Sequence, residues 1–274
     1  MSDDDRNDIP FDPALGAIEP QAGLLTAPPV GQRLYKIMTV ENLLRSLSGQ
    51  YLYFNRVDSY KDFPNADQHD GEQLQQDRAA NTAARFEKAP DFSGADYYDR
   101  SRNRTYACCF SLEDSDHIWS EYANGSERGK VGVAFDFTKL RAIINETMKI
   151  GNGLEYQGAR CKQIFSVNYG IVEYMSWDTA RANIERMPNP IRYTYIKGES
   201  FVKEREMRIA LSALGMGHYV LADGTKIEFP PGLQLGFDFK HAIAQGAILE
   251  IFPGPGCDYD FLRDELGKLG IMAK

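Results

Sequence analysis

Glu204 and Glu206 stand two apart in residues 201–211, FVKEREMRIAL, with Arg208 two further on. In an extended chain successive side chains alternate, so these three share one face, and Met207, Ile209 and Leu211 share the other. Two carboxylates on one face repel each other unless a cation or a polar ligand lies between them. The spacing therefore suits a site. It equally suits an exposed strand face carrying a charge ladder, which is where charge runs usually sit. Trp119 and Tyr122, three apart in HIWSEYA, fall on one side of a helical turn. They form either an aromatic pair packed on a sheet or a platform for a flat ring such as nicotinamide or adenine. Asp67, His69, Asp70 and Glu72 cluster in one loop, as a cation site or as solvated charge.

Other chemistries lack their residues. The four histidines (His69, His117, His218, His241) form no pair at helical spacing, and the four cysteines form no C-x-x-C. Cys108 and Cys109 are adjacent, so in a strand one of them must face inward as core. There is no Walker loop, no G-x-G-x-x-G and no G-x-S-x-G.

The elements that must hold these residues can be read in outline. Residues 33–38, RLYKIM, form a strand, and Thr39 caps a helix whose apolar face is Val40, Leu43, Leu44 and Leu47, ended by Gly49. Further strands are expected at 51–55, 106–111, 130–136, 163–169, 201–211 and 247–252. Helices are expected at 72–88, 117–123, 137–144, 177–187 and 258–269. Asp223-Gly224 between two short apolar runs signals a hairpin. Helices and strands mix without βαβ alternation. The class is therefore α+β, with a mixed, largely antiparallel sheet and flanking helices.

Of 274 residues, 43% are hydrophobic and 12% aromatic, enough for one large packed domain. Residues 1–29 hold six acids against Arg6 alone, and five of the 13 prolines. They read as a flexible acidic arm ahead of a single domain over 30–274, in which 72–104 is a polar, partly helical insertion. Of the net charge of −8, that arm carries −5 and the rest of the chain about −3, with no basic excess, so no long nucleic-acid groove or membrane surface is indicated. With no apolar leader and no run of ~18 apolar residues, the expected location is cytoplasmic.

Several blocks resemble a widespread bacterial family known as a domain of unknown function. They are Leu34-Tyr35-Lys36, residues 51–55 (YLYFN), Cys109-Phe110-Ser111, residues 119–123 (WSEYA), residues 129–136 and the span from Lys197 through Glu204, Glu206 and Arg208. Phe201 and Met207 stand where that family has tryptophans. More distantly, the order of L-Y-K strand, helix, C-F-S strand and E-x-E strand is similar to that of the mono-ADP-ribosyltransferases. That resemblance implies a split sheet, NAD as substrate and a macromolecular acceptor, protein or nucleic acid, as for a toxin or phage-defence effector. It implies that Tyr35, Lys36, Ser111 and Arg208 hold NAD and that Trp119 or Tyr122 stacks on the nicotinamide. Glu206 would stabilise the positive sugar and Glu204 would activate the acceptor. Two other readings stay open: a non-catalytic binding module of a defence or regulatory system, and a metal-dependent nuclease using Asp62, Asp70, Glu204 and Glu206.

Overall fold

The structure is a computed structural model and describes residues 24–63, 66–149, 154–161, 165–180, 190–213 and 217–271. Residues 1–23 of the expected arm therefore lie outside the described residues, as does most of the helix expected at 177–187, while Leu24 and Leu25 at the end of the arm pack beside Tyr60 and Tyr195. Of that helix, Trp177 to Thr179 form a turn.

The chain opens with β1 (Arg33–Thr39) and α1 (Val40–Gly49). Thr39 ends the strand and caps the helix, its hydroxyl accepting the Asn42 N–H at 3.1 Å. α1 buries Val40, Leu43 and Leu47, the stripe that its sequence spacing dictates. Gln50, at φ 52°, takes the left-handed turn that closes the helix. β2 (Tyr51–Arg56) follows, then a 3-10 turn, Val57–Asp62.

Next come α2 (Gln75–Ala83), the ribbon β3 (Arg85–Phe86) with β4 (Ala89–Ser93), and α3 (Gly94–Arg102), which starts on a Ser93–Asp96 capping box. This stretch has little apolar face. Polar bonds such as Arg78 to Asp99, at 2.8 and 2.6 Å, hold much of it together.

β5 (Thr105–Ser111), α4 (Asp116–Glu121), β6 (Lys130–Asp136) and α5 (Phe137–Lys149) lead to β7 (Leu154–Tyr156), β8 (Ala159–Arg160), β9 (Phe165–Ile171) and β10 (Glu173–Met175). β11 (Ile196–Gly198) pairs with β10 in parallel. β12 (Glu206–Ala213), the hairpin β13 (Tyr219–Val220) and β14 (Lys226–Ile227), β15 (Gly232–Gly236), α6 (Phe239–Ala244), β16 (Ile248–Pro253) and α7 (Tyr259–Lys268) complete the chain. β15 was not foreseen. It is bounded by glycines, and only Leu233 and Leu235 mark its inward face.

Ten strands form one sheet in the order β16-β6-β1-β5-β2-β15-β7-β8, with β12 against β5 and β9 against β12. Each pairing within it is antiparallel. The expected α+β class with a largely antiparallel sheet is what the structure has. The sheet divides along β5. Ser111 pairs with Tyr35 of β1, whereas Ala107 and Tyr106 pair with Asn55 and Arg56 of β2. Between those contacts β1 and β2 part, and residues 108–110 face the gap. The other edge of β5 is zipped to β12 from Glu206↔Ser111 to Ser212↔Thr105.

Both faces of β5 and β12 are covered. Met207, Ile209 and Leu211 join the main core with Tyr106, Cys108 and Phe110. Burying each large apolar side chain contributes about 1.5–3 kcal/mol. On the opposite face the small Ala107 and Ala210 leave room for Tyr60 and Tyr195. The Tyr60 hydroxyl donates to the Ala107 carbonyl and the Tyr195 hydroxyl to that of Asn168, both at 2.9 Å. Their polar ends are thereby satisfied within an apolar layer. Among the described residues no helix is long and apolar enough to cross a membrane.

Candidate active site: a cleft where the sheet divides

The strand expected over residues 201–211 is two elements. Residues Glu199–Glu204 form a 3-10 turn, Arg205 sits in the left-handed region at φ 47° and ψ 49°, and the strand begins only at Glu206. Glu204 is thus not on the strand, while Glu206 and Arg208 share one strand face as their spacing demands. The break brings Glu204 back over the head of β5, where Ser111 Oγ lies 2.9 Å from the Glu204 carbonyl oxygen.

The exposed charge ladder is overturned by burial. Glu204 is 8% exposed, Glu206 3% and Arg208 0%. Charges so deep must be paired, and these are. The Arg208 guanidinium donates to Glu206 through Nε at 2.7 Å and Nη2 at 3.0 Å. It donates to Asp70 at 2.5 and 2.7 Å and to the Thr194 carbonyl at 2.8 Å. Lys197 Nζ lies 2.5 Å from Glu204 and 3.3 Å from Glu206, with Asp70 at 3.9 Å. Tyr174 accepts the Glu206 backbone N–H at 2.8 Å. Three carboxylates are therefore interleaved with two cations.

The two glutamates are pushed in opposite directions. Burial would raise Glu206, but the Arg208 guanidinium and the Lys197 ammonium reverse this and hold its carboxyl well below the usual range. Glu204 is raised by burial and then by the Glu206 charge, against the pull of Lys197. Burial, followed by the two glutamate charges, pushes the Tyr122 phenol far up, and Tyr122 shares a hydrogen bond with Glu204. Lys197 stays charged because Glu206 and Asp70 outweigh its own burial.

These groups close one end of a cleft of about 610 Å³, within the range of small-molecule sites. β5 forms its floor, Tyr35, Lys36 and Ile37 of β1 one wall, and Tyr53 and Asn55 of β2 the other. The C-terminal end of α4 supplies its cap residue Tyr122, and the 3-10 turn Glu199–Glu204 supplies Phe201 and Glu204. Tyr53 and Phe63, 43% and 48% exposed, stand at its mouth.

Among the residues singled out from the sequence, Tyr35, Lys36, Ser111, Tyr122, Glu204, Glu206 and Arg208 all line this cleft. Lys36 Nζ donates to the Cys109 carbonyl at 3.0 Å, an oxygen on the edge of β5 that faces the gap, and lies 5.2 Å from the Phe110 ring centre. Ser111 is buried, with its hydroxyl committed to the backbone of Glu113 and Glu204. Trp119 lies elsewhere. Its indole meets Phe252 edge-on at 5.8 Å and donates to Asp114 at 2.7 Å, in a separate open depression with Gly254. Room for it depends on Gly254, where a Cβ would lie 2.0 Å from the ring. Of the aromatic pair, Tyr122, the residue that caps the end of α4, therefore lines the cleft and Trp119 does not.

The loop acids correct another expectation. Asp67 and Asp70 are buried, not solvated. Asp70 is the counter-charge of Arg208, and Asp67 accepts the Gly198 N–H at 2.7 Å. Among the described residues no group of three or more His, Cys, Asp or Glu side chains is arranged to hold a metal ion. Tyr60 and Tyr174 escape a sequence reading of the site, Asp70 enters it only as a cation ligand and not as the partner of Arg208, and Lys197 enters it only through the family resemblance.

No family model matches the chain, including any for the domain of unknown function that its motifs resemble, and no curated protein matches it. Among solved structures, Thermus sp. 2.9 DarT in complex with ADP-ribosylated ssDNA aligns over 72% of this chain and 84% of that one, at 13% identity and a TM-score of 0.26. The same protein in complex with carba-NAD+ aligns over 71% and 84%, at 10% identity and a TM-score of 0.25. Its complex with NAD+ aligns over 70% and 83%, at 12% identity and a TM-score of 0.25. A shared fold is not shown at these scores.

Proposed function

We propose that the protein is an NAD-consuming mono-ADP-ribosyltransferase acting on a macromolecular acceptor. One observation carries the proposal: two buried glutamates, one held ionised and the other pushed toward neutrality, stand together at the end of a cleft opened by a divided sheet. Pairs of acids whose environments drive them apart are the pattern of divided catalytic labour.

In the reaction, the bond between ribose C1′ and the nicotinamide nitrogen breaks, and its electron pair leaves with neutral nicotinamide. The sugar is left as an oxocarbenium-like cation. Glu206, fixed by Arg208 and by the β12 register, supplies a permanent negative charge toward that centre. The acceptor nucleophile then adds to C1′ and passes its proton to Glu204, whose raised affinity for protons suits a base working near neutral pH. Lys36 offers a positive charge for the pyrophosphate, and Tyr35 and Tyr122 offer rings against which planar groups can stack.

A second reading has its own support. Both Glu206 oxygens are engaged by Arg208, with Lys197 on one of them, as in a structural ion network beneath a binding cleft. A metal-dependent nuclease lacks support, because Glu204, Glu206 and Asp70 converge on Lys197 and Arg208, and Asp62 is exposed.

The purified protein should release nicotinamide from NAD and transfer adenylate-labelled ADP-ribose to protein or nucleic acid in a cell lysate. Glu206→Gln should lower release about a hundredfold or more. Equal release by both proteins, or none by the wild type, sinks the transferase reading. NAD binding that is unchanged in Glu206→Gln and lost in Tyr122→Ala, without release, would favour the binding module.

A further inference from the structure

We infer that Lys197 is a positioning residue: its ammonium, wedged between Glu204 and Glu206, keeps Glu204 ionised and fixed as the proton acceptor of the cleft. Lys197 comes from β11, outside the large sheet, and is 8% exposed. Its Nζ reaches Glu204 from the 3-10 turn at 2.5 Å and Glu206 from β12 at 3.3 Å, and lies 4.9 Å from the Phe201 ring centre. Asp70 stands behind it at 3.9 Å.

The other charged or titratable groups around the pair cannot replace it. Arg208 is spent on Asp70, Glu206 and the Thr194 carbonyl, and no hydrogen bond joins it to Glu204 among the described residues. Tyr122, Tyr174, Tyr60 and Cys109 face the acids as neutral groups, each held protonated by burial. Without Lys197, three buried carboxylates would share one guanidinium. The group with the least cationic support is Glu204, so Glu204 would take up a proton. A protonated Glu204 keeps its place but cannot accept a proton from a nucleophile.

The kinetic arm of the test rests on the transferase reading, and the stability arm does not. Urea unfolding of wild type, Lys197→Met and Lys197→Met/Glu204→Gln is measured from pH 5 to pH 9. The folding constant of Lys197→Met, relative to wild type, should fall as pH rises, approaching tenfold per pH unit where one extra proton is held. The double variant should lose that slope. A deficit independent of pH, equal in the single and double variants, overturns the inference. If Lys197→Met does not fold, the double variant, which removes the stranded charge, should fold; its failure to do so also overturns the inference. In the kinetic arm, the acidic limb of ADP-ribose transfer to the acceptor should move at least one pH unit upward in Lys197→Met, with KM for NAD little changed. If the wild type releases no nicotinamide, the transferase reading fails, and the stability arm still decides the role of Lys197.

Discussion

Asp70→Asn tests whether the buried network is what holds the cleft together. Asp70 has a side chain 3% exposed and faces Arg208 with both oxygens, at 2.5 and 2.7 Å. Asparagine keeps the volume but sets an amide NH2 against a guanidinium NH2. It removes a countercharge and one charge-assisted hydrogen bond. Breaking a buried pair typically costs about 3–5 kcal/mol. Arg208 keeps Glu206 and the Thr194 carbonyl, so the lower end, about 3 kcal/mol, is expected here. That is a large share of the roughly 5–15 kcal/mol by which a domain is folded. With a urea slope near ~3 kcal/mol/M, the midpoint should fall by about 1 M. Far-UV circular dichroism below the transition should stay native. A loss under about 1 kcal/mol would mean that solvent or another anion reaches Arg208, and the buried-network account would be wrong.

Two further outcomes follow from the same geometry. Glu206 has its carboxyl held below the ordinary 4.5 by Arg208 and Lys197. The stability this adds is present above that value and is lost as pH falls below it, so Glu206→Gln should flatten the acid limb of the stability curve below about pH 4.5, measured by urea unfolding. Thr39→Ala removes the N-cap of α1 and should cost about 1 kcal/mol in the same assay.

Much of the scaffold was legible because period and punctuation act locally. Thr39 and Gly49 bracket the apolar stripe of α1 within a residue, and Asp223-Gly224 marks the β13–β14 hairpin. β6 was read at its observed bounds from KVGVAFD. Legibility ended where local pattern and tertiary placement part. The strand expected from 201 fails because Arg205 adopts a left-handed conformation, uncommon for a side chain with a Cβ and unmarked by glycine. That single residue, at the joint between the 3-10 turn and the strand, decides that Glu204 belongs to the turn and Glu206 to the strand.

The site was harder to read, and the reason is electrostatic. A charge is assigned to solvent by default, and only its partner can reverse that assignment. Arg208 and its partner Asp70 are 138 residues apart, so nothing near either one announces the pair. The E-x-E spacing was visible, but its meaning depends on what lies between the acids. Lys197 precedes Glu204 by seven residues yet reaches it from a different element, across the turn that Arg205 closes. The same acids on a straight solvated strand would titrate together near their ordinary values. In this fold one is paired on two sides and the other faces a single ammonium. The difference between them, which is the chemical content of the cleft, therefore comes from register, from one left-handed residue and from burial.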